Sequence, residues 1–522
     1  MALSLESLFA ILVDHTSLTF STLFVTLLTI HLLLTYYCSD LRCIPGPFLA
    51  SISSLDRFLS CARGNQMQYH LALHAKYGPL VRVGPNHVSF SSPSLIHLVY
   101  GISSKFEKSN FYTLFDIKDP RTGAVVPTIF SVRDEGHHKT IKRSVAAAYS
   151  MGTMRELEPM NDACSAILSA KLDGLVGQDE IDLGQWVHWY AFDVISSITF
   201  SRRLGFLEEE RDINGIIRAI EGRLVYNSII GQVPALHGWL FGSRAVAWLA
   251  GWVPCVKALN SSGFIVAFAA RQLERYQSNK KVETGGEDWE MLDLLDRFKR
   301  FKDGLQVMDD HELLSHCASN IFAGSDTTAA SLRAIFYYLC RYPYAKTKLL
   351  TEIDAAEQEG IISDPITFAE AQGLVYFQAV IKEALRMHPA VGLLLERLVP
   401  HGGVNLGDIW LPEGTIVGMN PWVAARDTAV YGADAYEFRP ERWLEADEEH
   451  LKLMERSFLS FGAGPRTCLG KNISLLEISK VVPQLLRQFD FQLSHPEKEW
   501  KLYDYWFVRQ TGLICRVIKR KK

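Results

Sequence analysis

The sequence predicts a mostly α domain with small β-sheets, preceded by a single N-terminal transmembrane helix. Three observations carry this expectation. Helical periodicity dominates from about residue 65 to about residue 390. Short strand signals stand at Val81–Val83, Val88–Phe90, Val404–Leu411 and Leu513–Val517. The run Ser17–Tyr37 carries no Asp, Glu, Lys or Arg, and at about 1.5 Å per residue it can cross a bilayer core of about 30 Å.

Taken in chain order, the first segment is the membrane candidate. No basic residue precedes the apolar run and no A-x-A site closes it, so a cleaved signal peptide is not expected. Glu6 and Asp14 lie before it, while Arg42, Arg57 and Arg63 follow it. The positive-inside bias then places the bulk of the chain in the cytoplasm. Pro45-Gly46-Pro47 sets a stiff turn at the membrane surface. The expected organisation is a lumenal N-terminus at 1–16, a transmembrane anchor at 17–37, a proline-rich hinge at 38–50 and one large domain at 51–522. With 522 residues, 48% of them hydrophobic, the chain can bury a large core. Neither a repeat nor a long Pro/Gly/Ser linker divides it after residue 50.

A net charge of −4 gives no argument for nucleic acid. Nine cysteines at 38, 43, 61, 164, 255, 317, 340, 468 and 515 contain no C-x-x-C pair, so neither a disulfide framework nor a zinc site is expected, and reduced surroundings fit best.

Further along, Asp134-Glu-Gly-His137-His138-Lys-Thr-Ile-Lys142-Arg143 reads as a basic helix with His138 and Lys142 on one face. Val233 to Leu259 is aromatic-rich but broken by His237, Gly238 and Arg244, which suits either an interfacial contact or ordinary core packing. A long helix is expected from Asp309 or Asp310, capped by one of them and ended by Pro343. It contains Ala323-Gly324-Ser325-Asp326-Thr327-Thr328, a set of poor helix formers. Thr327 can bond back to a carbonyl of the preceding turn and open a kink where a small molecule and water fit. Glu383 and Arg386, three apart on the next helical pattern, can pair.

The richest stretch is Phe461-Gly-Ala-Gly464-Pro-Arg466-Thr-Cys468-Leu-Gly470. It isolates one cysteine in a glycine-rich loop beside an arginine. Read alone, Cys468 is either a metal ligand or a buried structural thiol. Glycines at 462, 464 and 470 allow close backbone approach to a large flat cofactor. The apolar spacing of Leu475, Leu476 and Ile478 predicts a helix starting just after Cys468, with N–H groups and dipole aimed at the sulfur to hold it as thiolate.

The complete order Phe-x-x-Gly-x-Arg-x-Cys-x-Gly resembles the haem-binding loop of the cytochrome P450 superfamily, and Ala-Gly-x-Asp-Thr-Thr at 323–328 resembles its oxygen-activation motif. The resemblance implies the cytochrome P450 fold, with 51–522 as a haem-thiolate catalytic domain. It implies haem b (iron protoporphyrin IX) with Cys468 as axial thiolate, and O2 and NADPH-derived electrons as co-substrates. Phe461 and Gly464 would belong to the cofactor loop. Asp326 and Thr327 would be the acid and alcohol that relay protons during oxygen activation. Glu383, Arg386 and Arg442 of Phe438-Arg-Pro-Glu-Arg442-Trp443 would form a structural brace for the loop. Arg466 and Arg397 would bind the propionates, joined by His138 and Lys142 where the family often has Trp and Arg, with Arg143 as a possible substitute for that pair.

The same resemblance implies a monooxygenase acting on a lipophilic small molecule by hydroxylation, epoxidation, dealkylation or multistep oxidation. Partners would be NADPH-cytochrome P450 reductase, with cytochrome b5 as a possible second donor. A single-pass location in the endoplasmic reticulum membrane, catalytic domain toward the cytoplasm, is implied too. No flavin or nicotinamide fingerprint is present, so electrons must come from outside, and Lys139, Lys142, Arg143 and Lys471 offer a basic docking face. Pocket segments expected by family position are Phe111 to Phe115, Val225 to Trp239, Asn320 and Phe322, Val391 to Leu394, and Tyr505 to Phe507. Ala-Tyr-Ser-Met151 and Arg155-Glu-Leu-Glu-Pro159 look like the pisatin-demethylase-like group of fungal secondary metabolism. A redox-neutral isomerase or dehydratase, a xenobiotic-detoxifying oxygenase and a haem-based sensor are the alternatives. The Asp326-Thr327 pair argues against the redox-neutral one.

Overall fold

The helix Asp310–Arg341 is the axis around which the other elements assemble. The computed structural model describes residues 5–118, 124–240, 266–275, 293–300, 308 and 310–521. Leu313, Leu314, Cys317 and Ile321 recur at helical spacing along the axis and are all buried. Tyr342 then caps the next helix, Pro343–Gln358, whose first residue is proline. Asp310 is the first helical residue rather than a cap, and residue 309 lies outside the described ones.

The back-bond expected of Thr327 forms, and no break in the helix accompanies it. The helix runs through 323–328, with the hydroxyls of Ser325, Thr327 and Ser331 each donating to the carbonyl four residues back. Such back-bonding satisfies short polar side chains without breaking the ladder. Gly324 has a packing reason: a Cβ there would sit 2.8 Å from the Ile195 side chain. Ile195 belongs to Leu183–Phe200, started by the Asp182 carboxylate accepting from Gln185 N–H and buried at every position except Gln185 and Trp189. A helix enclosed on all sides belongs in the core, and it runs against the central helix.

Small sheets flank this helical mass. One has five strands in the order Leu80–Gly84, His87–Phe90, Ile416–Gly418, Arg397–Leu398, Glu107–Lys108. A second joins Phe489–Leu493, Ile514–Lys519 and Ile181–Asp182. The strand expected at Val404–Leu411 is two strands, Val404–Leu406 and Ile409–Leu411, folded back as a hairpin with Gly407 at φ 65°. Another hairpin pairs Lys501–Tyr505 with Phe507–Thr511 across Trp506, whose φ is 69°.

At the N-terminus a helix spans Leu5–Tyr37, reaching beyond the predicted 17–37 span. Side chains at 5–18, 20 and 21 lie outside the described residues, so the predicted anchor falls partly outside them. Among the described residues no helix is long and apolar enough to cross a membrane. The predicted hinge is docked rather than free. Leu41 and Ile44 are buried, and Arg82 N–H donates to Pro45 O at 2.8 Å. A Cβ on Gly46 would meet Arg82 O at 2.2 Å.

Candidate active site

Cys468 is presented by a loop that its own backbone fixes. Its N–H donates to Phe461 O at 2.8 Å, Gly462 N–H to Leu459 O at 2.8 Å, and residues 464–466 make one 3-10 turn. Gly464 takes φ 60° with Tyr100 O only 1.8 Å from where a Cβ would stand, so no other residue fits there. The predicted helix follows as Lys471–Gln488. The surrounding protein pushes the Cys468 thiol up although its side chain is open to the cavity, opposed by the N–H groups of Gly470 and Lys471 and by the Lys471 and Lys142 charges. The helix-end donors therefore point as expected, and metal coordination deprotonates such a thiol outright.

The thiol lines a cavity of about 330 Å³. Thr327, Ala323 and Gly324 of the central helix form one wall, and Phe115, Phe130, Phe322, Trp506 and Phe507 supply aromatic lining. Trp506 lies within 6.0 Å, centroid to centroid, of Phe111, Tyr112, Phe115 and Phe130. Each expected pocket segment contributes, though from Val225 to Trp239 only Asn227 reaches the cavity wall. Residues 241–265, most of the Val233 to Leu259 stretch, lie outside the described residues.

Cations gather at one side. Lys108, His138, Lys142 and Arg466 line the cavity, with Arg397 buried behind. Arg466 pairs with Glu135 at 2.8 Å but leaves its buried Nη1 without a partner. Lys142 Nζ donates to Pro465 O at 2.7 Å. Arg397 donates to Glu396 O at 2.8 Å and reaches Tyr112 Oη at 3.5 Å. Arg143 is exposed and outside the lining, so it does not substitute for the pair on its helix. His138 is held neutral, pushed down to about 3 by burial and by Arg466, Lys108, Lys142 and Arg397, so it can offer an N–H but no charge.

Lys108 is the member that sequence reading missed. Burial first, then Arg397 and Arg466, drive its pKa well below the ordinary lysine range. Its Nζ donates to Phe130 O and stands 4.3 Å and 4.1 Å from the Tyr112 and Phe130 ring centroids. It sits on the strand that pairs Lys108 with Arg397, a two-residue element with no periodicity to reveal it. The crowding of these basic groups, the unpaired Arg466 Nη1 and a large apolar cavity lined by a cysteine together fit haem with its two carboxylates.

The brace is buried. Glu383 receives Arg386 at 2.7 Å, Arg442 at 2.9 Å and Trp443 Nε1–H at 2.9 Å, and all three charged side chains are at most 2% exposed. Ser460 Oγ donates to Leu385 O at 2.8 Å and so links the Glu383 helix, Val375–Met387, to the cysteine loop.

Asp326 does not line the cavity. Its carboxylate meets His188 Nε2 at 2.7 Å, while Thr327 faces the cavity and donates to Ala323 O at 2.7 Å. The acid and alcohol expected as a pair thus occupy different surroundings.

Comparison with known proteins gives the same picture from another direction. The family model described as Cytochrome P450 matches residues 44–514. The chain is 39% identical over 483 residues to Cytochrome P450 monooxygenase cicH of Emericella nidulans, covering 91% of this chain and 93% of that one. It is 39% identical to a Cytochrome P450 monooxygenase of Aspergillus terreus, covering 86% and 89%. It is 36% identical to Pisatin demethylase of Fusarium vanettenii, covering 91% and 88%. With a cysteine in the wall of an apolar cavity, basic side chains lining the same cavity and a family match over most of its length, the chain belongs to the cytochrome P450 family and is a haem-thiolate monooxygenase.

Proposed function

We propose that this enzyme oxidises a lipophilic small molecule in fungal secondary-metabolite biosynthesis, by hydroxylation, epoxidation, dealkylation or successive oxidations. The observation that carries the reading is the aromatic lining of the cavity onto which Cys468 opens, Phe115, Phe130, Phe322, Trp506 and Phe507, a surface that beside the haem suits an apolar ligand with few polar contacts. The names of the relatives, a monooxygenase and a Pisatin demethylase, support oxidation and dealkylation as the reaction types.

Haem held through Cys468 supplies the reductive activation of O2, chemistry that no side chain offers. The chain's own residues do the rest. Arg466, Arg397, Lys108 and Lys142 hold the propionates, and His138 adds a neutral donor. Phe461 and Gly464 shape the loop, and Glu383, Arg386 and Arg442 keep it rigid. Thr327 offers a hydroxyl at the cavity wall, and Asp326 in the adjoining position is the acid that supplies protons to it. The aromatic lining excludes bulk water, so that protons arrive by this route.

The enzyme works at the endoplasmic reticulum membrane, anchored by its N-terminal helix with the catalytic domain in the cytoplasm. Leu23, Phe24, Val25, Leu27 and Leu34 are 55–67% exposed, an apolar surface that water disfavours. NADPH-cytochrome P450 reductase supplies electrons, with cytochrome b5 as a second donor, and the exposed Lys139, Arg143 and Lys471 offer the docking charge.

Incubating the enzyme with reductase, NADPH and extract of a strain lacking this gene should convert one accumulated metabolite to a product with one more oxygen or one fewer alkyl group. No NADPH- and O2-dependent product would refute the reading. Cys468→Ala should abolish both the product and the red-shifted Soret band of the reduced carbon monoxide complex. Removal of residues 1–37 should release the protein from microsomes; unchanged sedimentation would rule out the helix as anchor.

A further inference from the structure

Asp326 and Thr327 are sequence neighbours, yet a residue from another helix holds the acid. His188 and Asp326 are 4% and 11% exposed at their side chains, with Nε2 2.7 Å from Oδ1. His188 lies on Leu183–Phe200, the helix that packs along the central one where Gly324 admits Ile195. Its ring rests against Phe192 with centroids 5.2 Å apart. The imidazole is thus fixed by its own helix, and the carboxylate is fixed by the imidazole.

Neighbouring charges are otherwise engaged. Arg333, further along the central helix, donates Nε to Gly184 O at 2.8 Å. Asp182 accepts from Gln185 N–H at the start of the His188 helix, and Glu221 pairs with Arg509 at 2.6 Å. Arg333 also acts on Asp326 through its charge, but the direct hydrogen bond to the Asp326 side chain is the one with His188.

We propose that His188 is the positioning residue for Asp326, holding the carboxyl beside the cavity wall and so governing how protons reach Thr327. The proposal rests on the reading of Asp326 as the proton-supplying acid. A merely structural histidine would affect stability alone. A positioning one affects how efficiently electrons are used, because a turnover short of protons loses its oxygen as superoxide, which carries off one electron and needs no proton, instead of forming product.

The test uses the holoenzyme with reductase and compares His188→Gln, His188→Ala, Asp326→Asn and the Ala/Asn double variant. Product formed per NADPH consumed, the solvent isotope effect on turnover and the unfolding midpoint are measured for each. Asp326→Asn and His188→Ala should each lower product per NADPH by about fivefold or more and raise the isotope effect, a loss below the range for a general acid removed outright. His188→Gln, which keeps an N–H donor, should retain most of the wild-type ratio. The double variant should be no worse than Asp326→Asn, and its midpoint should show the same non-additivity. Wild-type ratios in His188→Ala, equal losses in Gln and Ala, or additive losses would overturn the proposal. If Asp326→Asn itself keeps the wild-type ratio, the reading of Asp326 as acid fails and this proposal with it; if only the His188 variants are silent, this proposal alone fails. Should His188→Ala not retain haem, His188→Asn, too short to reach Asp326, replaces it under the same criteria.

Discussion

Thr328 and Ser474 share a buried hydroxyl–hydroxyl hydrogen bond of 2.8 Å that ties the central helix to the helix following Cys468. These helices carry the two walls between which the cofactor must fit, so the bond helps to set their separation. Thr328→Val leaves Ser474 unpaired and should cost about 1–3 kcal/mol in denaturant unfolding, whereas adding Ser474→Ala should recover part of the loss. An additive double variant would show that the hydroxyls do not interact.

Glu383 accepts from two buried guanidiniums and an indole N–H. Glu383→Ala strands Arg386 without a counter-charge and leaves Arg442 only Asp434 at 3.1 Å, a change costing about 3–5 kcal/mol. The variant should unfold at lower denaturant and purify with reduced haem content, since the same helix holds Ser460 of the cysteine loop. Full haem content at wild-type stability would remove the brace from the account.

Lys108 should prove to be a cofactor contact. Lys108→Met removes one charge-assisted hydrogen bond, about 1.5–3 kcal/mol, which corresponds to haem release at least about tenfold faster. Transfer of haem to an excess of a haem-scavenging apoprotein measures this directly. An unchanged release rate would confine Lys108 to its contact with Phe130.

Asp504 gives the pH prediction. Burial raises its pKa from 3.8 to about 8, with the Met67 N–H opposing, and its Oδ1 has no partner. The folded state therefore binds a proton that the unfolded chain releases. No penalty exists below the unfolded value near 4; stability falls as pH rises between about 4 and about 8, and the full penalty applies above. Asp504→Asn should flatten that part of the unfolding-midpoint profile and raise the midpoint most on its alkaline side. A wild-type slope in the variant would assign the dependence elsewhere.

What the sequence made legible is chemistry written contiguously. The cysteine loop, the 323–328 segment and the Glu383-x-x-Arg386 pair each lie within a few residues, and their local geometry follows from helix spacing and turn conformation. His188 stands 138 residues from Asp326, and nothing at either position in the sequence points to the other. Lys108 hid in a two-residue strand, and the strands at Arg397–Leu398 and Ile416–Gly418 escaped for the same reason. Gly324 counts in the sequence only as a poor helix former, because its need for space comes from Ile195, on a helix over a hundred residues earlier. Short elements and long-range contacts depend on tertiary packing, which periodicity cannot register.

Trp506 joins the two strands of its hairpin at φ 69°, in a region that side-chain-bearing residues seldom occupy, and its ring is enclosed by four aromatic neighbours. The backbone penalty is offset only while that enclosure is complete. Adaptation to a new substrate would therefore run first through Phe507, Phe322 or Asn227, whose backbones carry no such obligation, leaving position 506 as a fixed point around which the specificity of descendants of this enzyme diverges.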